Sequence, residues 1–406
     1  MTHISIFRAA FSGSEQVERL VSERLRLPLI ETTLIQETAR RYDMDPDKAA
    51  RAMSGPPFVF NRVTRRRELY LARLRKVLSE LIRNEACIIN GFAAQLIPRE
   101  LKRVLRVCIL EDPVLRAQAA AESRAVSLKQ ARALVREEDE RAAEWTDYLY
   151  GVSVWDRTLY DMKIPALSLG AEQAAELIVE AAGKLETISK ATHEAALADF
   201  ARAQDAASAL AEAGHFHAVS CKGGELTVTV NEYAAFFDRL EREIREIVLL
   251  AVGAASVRVI AGPRFRPPTM FSENDFTLPK KLLLVDDEKD FVLTLSERLE
   301  MRDAAPSVAF SGEEALLMTA EEAPDVMVLD LKMPGVGGIE VLDRVKKEHP
   351  SVEVIILTGH GSEEDRRKCL ALGAFEYLEK PVDIDVLADA LHRAKDAVFR
   401  KRGGEA

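Results

Sequence analysis

The C-terminal third of the chain alternates between two rhythms of apolar and polar residues. Short, mainly apolar runs fall at 282–286, 307–310, 326–330, 353–357 and 374–378. Between and after them, at 289–301, 312–322, 338–348, 363–372 and 384–399, apolar residues recur with the helical period. Short uninterrupted runs suit strands buried on both faces, and the longer periodic stretches suit amphipathic helices. Strands and helices in strict alternation predict a doubly wound α/β fold around a parallel sheet.

The pattern upstream is also α/β, with helices dominating. A strand-like HISIF is followed by a turn, FSGS, and a helical run, EQVERLVSERL. Further strands are predicted at 86–91 (ACIING) and 104–110 (VLRVCIL). Residues 195–262 read as helix, strand, strand, helix, strand, with TVTV at 227–230 and VRVIAG at 257–262. The stretch 262–281 holds four prolines and reads as a linker. The expected organisation is a domain over 1–185, a small α/β module over 195–262, a linker over 263–280 and a domain over 281–402.

Chemistry concentrates in the last of these. Asp286, Asp287, Asp330, Thr358 and Lys380 each close one of the short apolar runs. In an open parallel sheet the carboxyl ends of the strands meet at one edge, which gathers these groups into one pocket. An aspartate after a strand is often just a helix cap or turn residue. Five such groups in order at β-α spacing need more than capping. Three carboxylates together repel unless a cation joins them, and oxygen-only ligands suit Mg2+. Asp330 can also take a phosphoryl group as an acyl phosphate. Lys380 would then neutralise phosphoryl oxygens, and the Thr358 hydroxyl would bond the new phosphate.

Residues 281–400 resemble the receiver domain of two-component response regulators, a flavodoxin-like fold. The resemblance rests on LLLVDDE, VMVLDLKMP, LTGH and LEKP. It implies that Asp286 and Asp287 are the acidic pair and Asp330 the phospho-acceptor. Thr358 and Tyr377 would be the switch pair, with Lys380 before a cis Pro381. It adds the Lys332 backbone carbonyl as a metal ligand.

The N-terminal FRAAFSGSEQ has the strand–turn–helix outline of a phosphate-binding loop, in which backbone N–H groups and a helix N-terminus face an anion. Ser12, Gly13 and Ser14 are the candidate contacts. The loop carries no lysine, and Glu15 stands where a cation is wanted. Residues from ISIF to about 180 resemble the cytidylate-kinase-like family of P-loop proteins, most clearly over 126–151 and 155–170. The resemblance implies a lid over 126–151, with Arg141 as its phosphate-contacting arginine. Asp161 falls in a matching YDM segment. Phe92 stands where the family carries a further arginine. The expectation is a P-loop kinase fold without kinase activity, with nucleotide binding left open.

Arg62, Arg65, Arg66 and Arg67 form a basic cluster, read as a solvated helix face, a nucleotide contact or the complement of an acidic partner surface. The middle module is weakly similar to the small BON module. His215 and His217 would share a strand face as a surface pair rather than a metal site.

The chain has 406 residues, is 48% apolar and carries a net charge of -10. That size suits two or three domains, and the acidity opposes general nucleic-acid affinity. No apolar run is long enough to cross a membrane, and no signal peptide is read at the start. Cys87, Cys108, Cys221 and Cys369 lack paired spacing and read as buried thiols of a cytoplasmic protein. The expected function is a cytoplasmic response regulator. A sensor histidine kinase or phosphotransfer protein would phosphorylate Asp330, and the N-terminal domains would bind a downstream protein. The resemblance also allows a homodimer through the receiver. Two rivals stand beside this reading: a nucleotide kinase gated by receiver phosphorylation, and an assembly protein whose receiver only dimerises.

Overall fold

The computed structural model describes residues 2–56, 58–231, 237–253, 256–263, 265, 278–302, 304–359 and 361–403. The chain forms two compact units. One comprises Met1–Pro56 and Arg67–Pro268, the other Pro57–Arg66 and Thr269–Ala406. Most of the expected linker lies outside the described residues.

The first unit opens with β1 (His3–Arg8), α1 (Ser14–Leu25), α2 (Glu31–Arg41) and α3 (Pro46–Ser54). The short α4 (Asn61–Thr64) counts with the other unit. Next come α5 (Arg66–Asn84), β2 (Ile88–Asn90), β3 (Val104–Leu110), α6 (Pro113–Arg124), α7 (Leu128–Tyr150), β4 (Met162–Pro165), α8 (Ala166–Leu169) and α9 (Ala171–Lys184). The four strands form a parallel sheet in the order β2-β1-β3-β4. Ile4 and Ile6 of β1, Val107 and Ile109 of β3, and Val17 and Val21 of α1 share one core with Ile178 of α9. Aspartate–proline pairs start two helices. Asp45 and Asp112 each accept the backbone N–H two residues on, and a proline takes the first helical position.

The middle segment is α10 (Lys190–Glu212), β5 (Ala218–Lys222), β6 (Glu225–Val230), α11 (Phe237–Val252) and β7 (Val257–Ala261). The predicted order of elements is present. Its sheet runs β5-β6-β7, antiparallel then parallel. The segment belongs to the same compact unit as the N-terminal region. α10 contributes to that union through Glu212 on Arg73 at 2.7 Å and Asp205 on Lys76 at 3.4 Å. His215 and His217 precede β5 instead of sharing a strand face. Their rings stack 5.8 Å apart, and His215 Nε2 lies 3.3 Å from Glu243.

The second unit continues with β8 (Leu282–Val285), α12 (Lys289–Glu300), β9 (Ser307–Ala309), α13 (Gly312–Glu321), β10 (Val326–Leu329), α14 (Gly338–Glu348), β11 (Glu353–Thr358), α15 (Glu363–Ala371), β12 (Glu376–Glu379) and α16 (Ile384–Gly403). All five strands are parallel, in the order β12-β11-β10-β8-β9. The apolar runs split by parity, as a pleated strand requires. Leu283, Val285, Met327, Leu329, Val354 and Ile356 pack on one face, and Leu282, Leu284, Val326, Val328, Ile355 and Leu357 on the other. Each face is covered by helices, so both sets are buried.

Among the described residues, all four cysteines are free thiols, with Cys221 half-buried and the others buried. Burial pushes the Cys87 and Cys108 thiols up to about 12. No described helix is long and apolar enough to cross a membrane.

Candidate functional site

The strand order changes direction between β8 and β10. A crevice forms at such a switch point, just beyond the carboxyl ends of the strands. Asp286 and Asp287 follow β8, and Asp330 follows β10. One carboxylate oxygen from each lies within 4.8 Å of the other two. Backbone hydrogen bonds fix the roots of the cluster: the Asp330 N–H donates to the Val285 carbonyl at 2.9 Å, and the Asp286 N–H to that of Ala309 at 3.1 Å. The Glu288 N–H holds Asp286 Oδ1 at 2.9 Å, and the Lys332 N–H holds Asp330 Oδ2 at 3.1 Å. Asp330 Oδ1 is buried and accepts no hydrogen bond.

Lys380 reaches this cluster from the end of β12. Its Nζ is 2.6 Å from Asp286 Oδ2 and 4.0 Å from Asp330 Oδ1, with its side chain only 12% exposed. Its backbone N–H donates to the Thr358 carbonyl at 2.9 Å, tying the ends of β11 and β12 together. The Lys380–Pro381 peptide is cis, as the resemblance implies. Burial raises the Asp286 carboxyl above its usual range, against the Lys380 hydrogen bond and charge. Burial alone would lower the Lys380 ammonium, but Asp286 and the other carboxylates raise it. The three clustered carboxylates fit a hard divalent cation.

Thr358 is buried at the end of β11, and Tyr377 is buried on β12 with no partner for its hydroxyl among the described residues. The loop after β11 passes close over that ring, so a Cβ on Gly361 would overlap Tyr377 Oη. Three neighbours were not foreseen from sequence. Glu288 stands 3.6 Å from Lys380, and Lys380 Nζ lies 4.2 Å from the centre of the Phe291 ring. Gly338, which begins α14, lies so close to the Asp330 carbonyl that a Cβ would overlap it. The GVGG run after Asp330 carried that last signal.

Residues 282–392 match the model of the response regulator receiver domain. Sporulation initiation phosphotransferase F of Bacillus subtilis (strain 168) is 35% identical over 114 residues, which cover 28% of this chain and 92% of that protein. The chain belongs to the response regulator receiver family. The transcriptional regulatory protein PrrA of Mycobacterium leprae (strain TN) is 36% identical over 126 residues, 31% of this chain and 52% of the relative. A putative response regulator, NtrX-like, of Rickettsia bellii (strain RML369-C) is 34% identical over 123 residues, 30% of this chain and 26% of the relative. The chain therefore spans about half the length of the first of these and about a quarter of the second. Upstream of the receiver, residues 3–166 match the cytidylate kinase-like family.

In that N-terminal domain, Gly13 caps α1 with φ 78°, a left-handed turn that suits glycine. Ser12, Gly13 and Ser14 line a cavity of about 630 Å³ together with Glu15, Phe92 and Arg124. Ser12 is fully buried, and its Oγ has no partner. Arg141 is not among the lining residues. Its guanidinium bonds Glu138 at 3.1 Å and also Glu137, both on its own helix. The nearest strand cation is compensated as well: Arg8 Nη1 lies 2.8 Å from both oxygens of Glu18, and Nη2 lies 3.8 Å from Glu31. Burial raises the carboxyls of Glu18 and Glu31, with Arg8 opposing it in both. Arg116, buried, forks onto Asp139 at 2.8 and 3.0 Å and donates to the Ala10 carbonyl at 2.8 Å. It fastens α7 to the loop before α1. Sequence reading missed both networks, because their members lie 10 to 106 positions apart.

Proposed function

We propose that the chain is a response regulator that accepts a phosphoryl group on Asp330 and passes the change to its N-terminal domains. The observation that carries this reading is the meeting of three strand-end carboxylates with Lys380 at one buried pocket. Asp330 Oδ1 is the free oxygen, since Oδ2 already accepts from Lys332. It attacks the phosphorus of a phosphohistidine or a small acyl phosphate. The bond from phosphorus to the donor breaks, and the donor leaves with that electron pair. Asp286, Asp287, Asp330 and the Lys332 carbonyl would hold Mg2+, which supplies charge neutralisation for the transferring oxygens. Lys380 adds the second positive charge and stays anchored by Asp286. The new phosphate draws on the Thr358 hydroxyl, and Tyr377 follows as the loop above it shifts.

The donor would be a sensor histidine kinase or a phosphotransfer protein, and the setting cytoplasmic. We take 281–402 as the receiver, 1–185 as the kinase-like domain and 195–262 as a small module resembling BON. The kinase-like domain acts here as a binding or assembly part. Arg8 in its cavity wall is already paired with Glu18, which reduces the positive field open to a phosphate chain. The buried, unpartnered Ser12 Oγ at the start of α1 favours a second reading, in which a nucleotide binds there without efficient transfer.

Intact-mass measurement after treatment with acetyl phosphate and Mg2+ tests the phospho-acceptor. Wild type is expected to gain one phosphate, and Asp330→Asn none. Equal labelling of the variant would place the acceptor elsewhere.

A further inference from the structure

The compact unit that contains the receiver also contains a segment from more than two hundred residues upstream. Phe60 is 2% exposed, and with Val59 it joins the core cluster of Leu283, Ala309, Ala315 and Met327. The Phe60 N–H donates to Ser307 Oγ at 3.3 Å, and the Val59 N–H to Glu321 Oε1 at 3.4 Å. Arg66 lies 3.2 Å from Glu322 Oε2, a carboxylate only 4% exposed that also takes Lys281 at 2.8 Å on its other oxygen. Arg62 pairs with Glu300. Two members of the basic cluster are therefore met by receiver carboxylates, the acidic-surface alternative for that cluster.

The side chains of Val59, Phe60, Arg62 and Arg66 carry this hold. Among the described residues the segment pairs with no strand, although β9 is an edge strand with one open side. Phe60 and Arg65 take left-handed conformations, φ 56° and 50°, which non-glycine residues adopt at a cost. The Phe60 and Val59 N–H bonds to receiver side chains are long, at 3.3 and 3.4 Å. Apolar packing and an arginine reaching a buried carboxylate hold a segment whose own backbone resists the fit. The same cluster also contains Leu331 and Met333, immediately after Asp330, and the Tyr377 ring.

We propose that residues 58–66 form a releasable strap on the receiver, loosened when Asp330 is phosphorylated. The inference rests on the phospho-acceptor reading above. The strap is fitted to the cluster as it packs without phosphate. Repacking of Leu331, Met333 and Tyr377 around a phosphorylated Asp330 degrades that fit, because packed cores switch between discrete arrangements and do not deform smoothly. By linkage, occupancy of the strap also opposes phosphorylation.

Hydrogen–deuterium exchange on the full chain, with and without acetyl phosphate and Mg2+, tests this, with intact mass read on the same samples. Exchange at Val59 and Phe60 is expected to rise about fivefold or more on phosphorylation, the lower end of ordinary coupling between sites. A fully phosphorylated sample with unchanged or slower exchange there overturns the strap and leaves the phospho-acceptor standing. A sample that takes up no phosphate overturns both. Arg66→Gln is expected to raise the same exchange without phosphate, since Glu322 then keeps only Lys281. Unaltered exchange in that variant would remove Arg66 from the hold.

Discussion

Replacing Asp330 by Asn is expected to stabilise the receiver in the absence of divalent metal, and the pocket geometry sets the size. Three carboxylate oxygens lie within 4.8 Å of one another, and Lys380 Nζ is 4.0 Å from Asp330 Oδ1. At an effective dielectric constant of about 20, each like-charge pair at that separation costs about 3.5 kcal/mol, and the lysine contact returns about 4 kcal/mol. Two repulsions thus outweigh one attraction by about 3 kcal/mol. Asp287 is half-exposed, so water screens its share and the gain falls to about 1–2 kcal/mol. The asparagine oxygen still accepts from the Lys332 N–H, so no hydrogen bond is lost. For a domain of this size the transition temperature should rise by roughly 3–10 °C. Thermal unfolding in chelator, wild type against variant, reads this directly. Millimolar Mg2+ should erase or reverse the difference, because the cation stabilises the three-carboxylate form by mass action. A variant less stable than wild type in chelator would refute the charge accounting, and with it the view that the pocket is kept acidic for a cation and a phosphate.

Two further outcomes follow from the same coordinates. Gly338→Ala puts a Cβ onto the Asp330 carbonyl oxygen, and the backbone must yield. A loss of about 1–3 kcal/mol in urea unfolding is expected, together with slower phosphate uptake. His3 is fully buried against His193, with ring centres 5.8 Å apart, and burial followed by that neighbour pushes it down to about 4 from 6.5. Its folded value lies below its unfolded one. The stability it contributes is therefore intact above pH 6.5 and lost as pH falls toward 4, by about 3 kcal/mol. Unfolding free energies across that window, wild type against His3→Leu, should show a steeper acid loss in wild type, and parallel curves would contradict the assignment.

How much was legible depended on sequence distance and on the environment of each strand. The five receiver strands and helices stand within a few residues of their predicted places, because the central strands β8, β10 and β11 are buried on both faces and so are near-continuous apolar runs, which frame the mixed edge strands β9 and β12. Asp286, Asp287, Asp330 and Lys380 meet because β-α alternation sends every strand end to one edge, and Thr358 stands at the end of the neighbouring β11. The short edge strand β4 was not predicted. Its MKIP sequence is mixed in character, and among the described residues it pairs only with β3. Arg141 was expected near phosphate, yet it bonds Glu137 and Glu138, acidic neighbours three and four positions back on its own helix. The cluster at Arg62–Arg67 allowed several readings, since nothing local showed that Glu300 and Glu322 would meet it.

By itself, then, the sequence determined the receiver: its alternation, its sheet, and the order in which acid, hydroxyl and lysine arrive at the pocket. These are local properties, carried by periodicity and by the residue that ends each strand. Tertiary structure alone decided which oxygen of Asp330 is left open, that Arg8 is neutralised by Glu18, that His3 meets His193, and that Phe60 enters a core built from residues more than two hundred positions away. Such pairings depend on the folded path of the backbone and on which charges lose their water, and no local pattern records either.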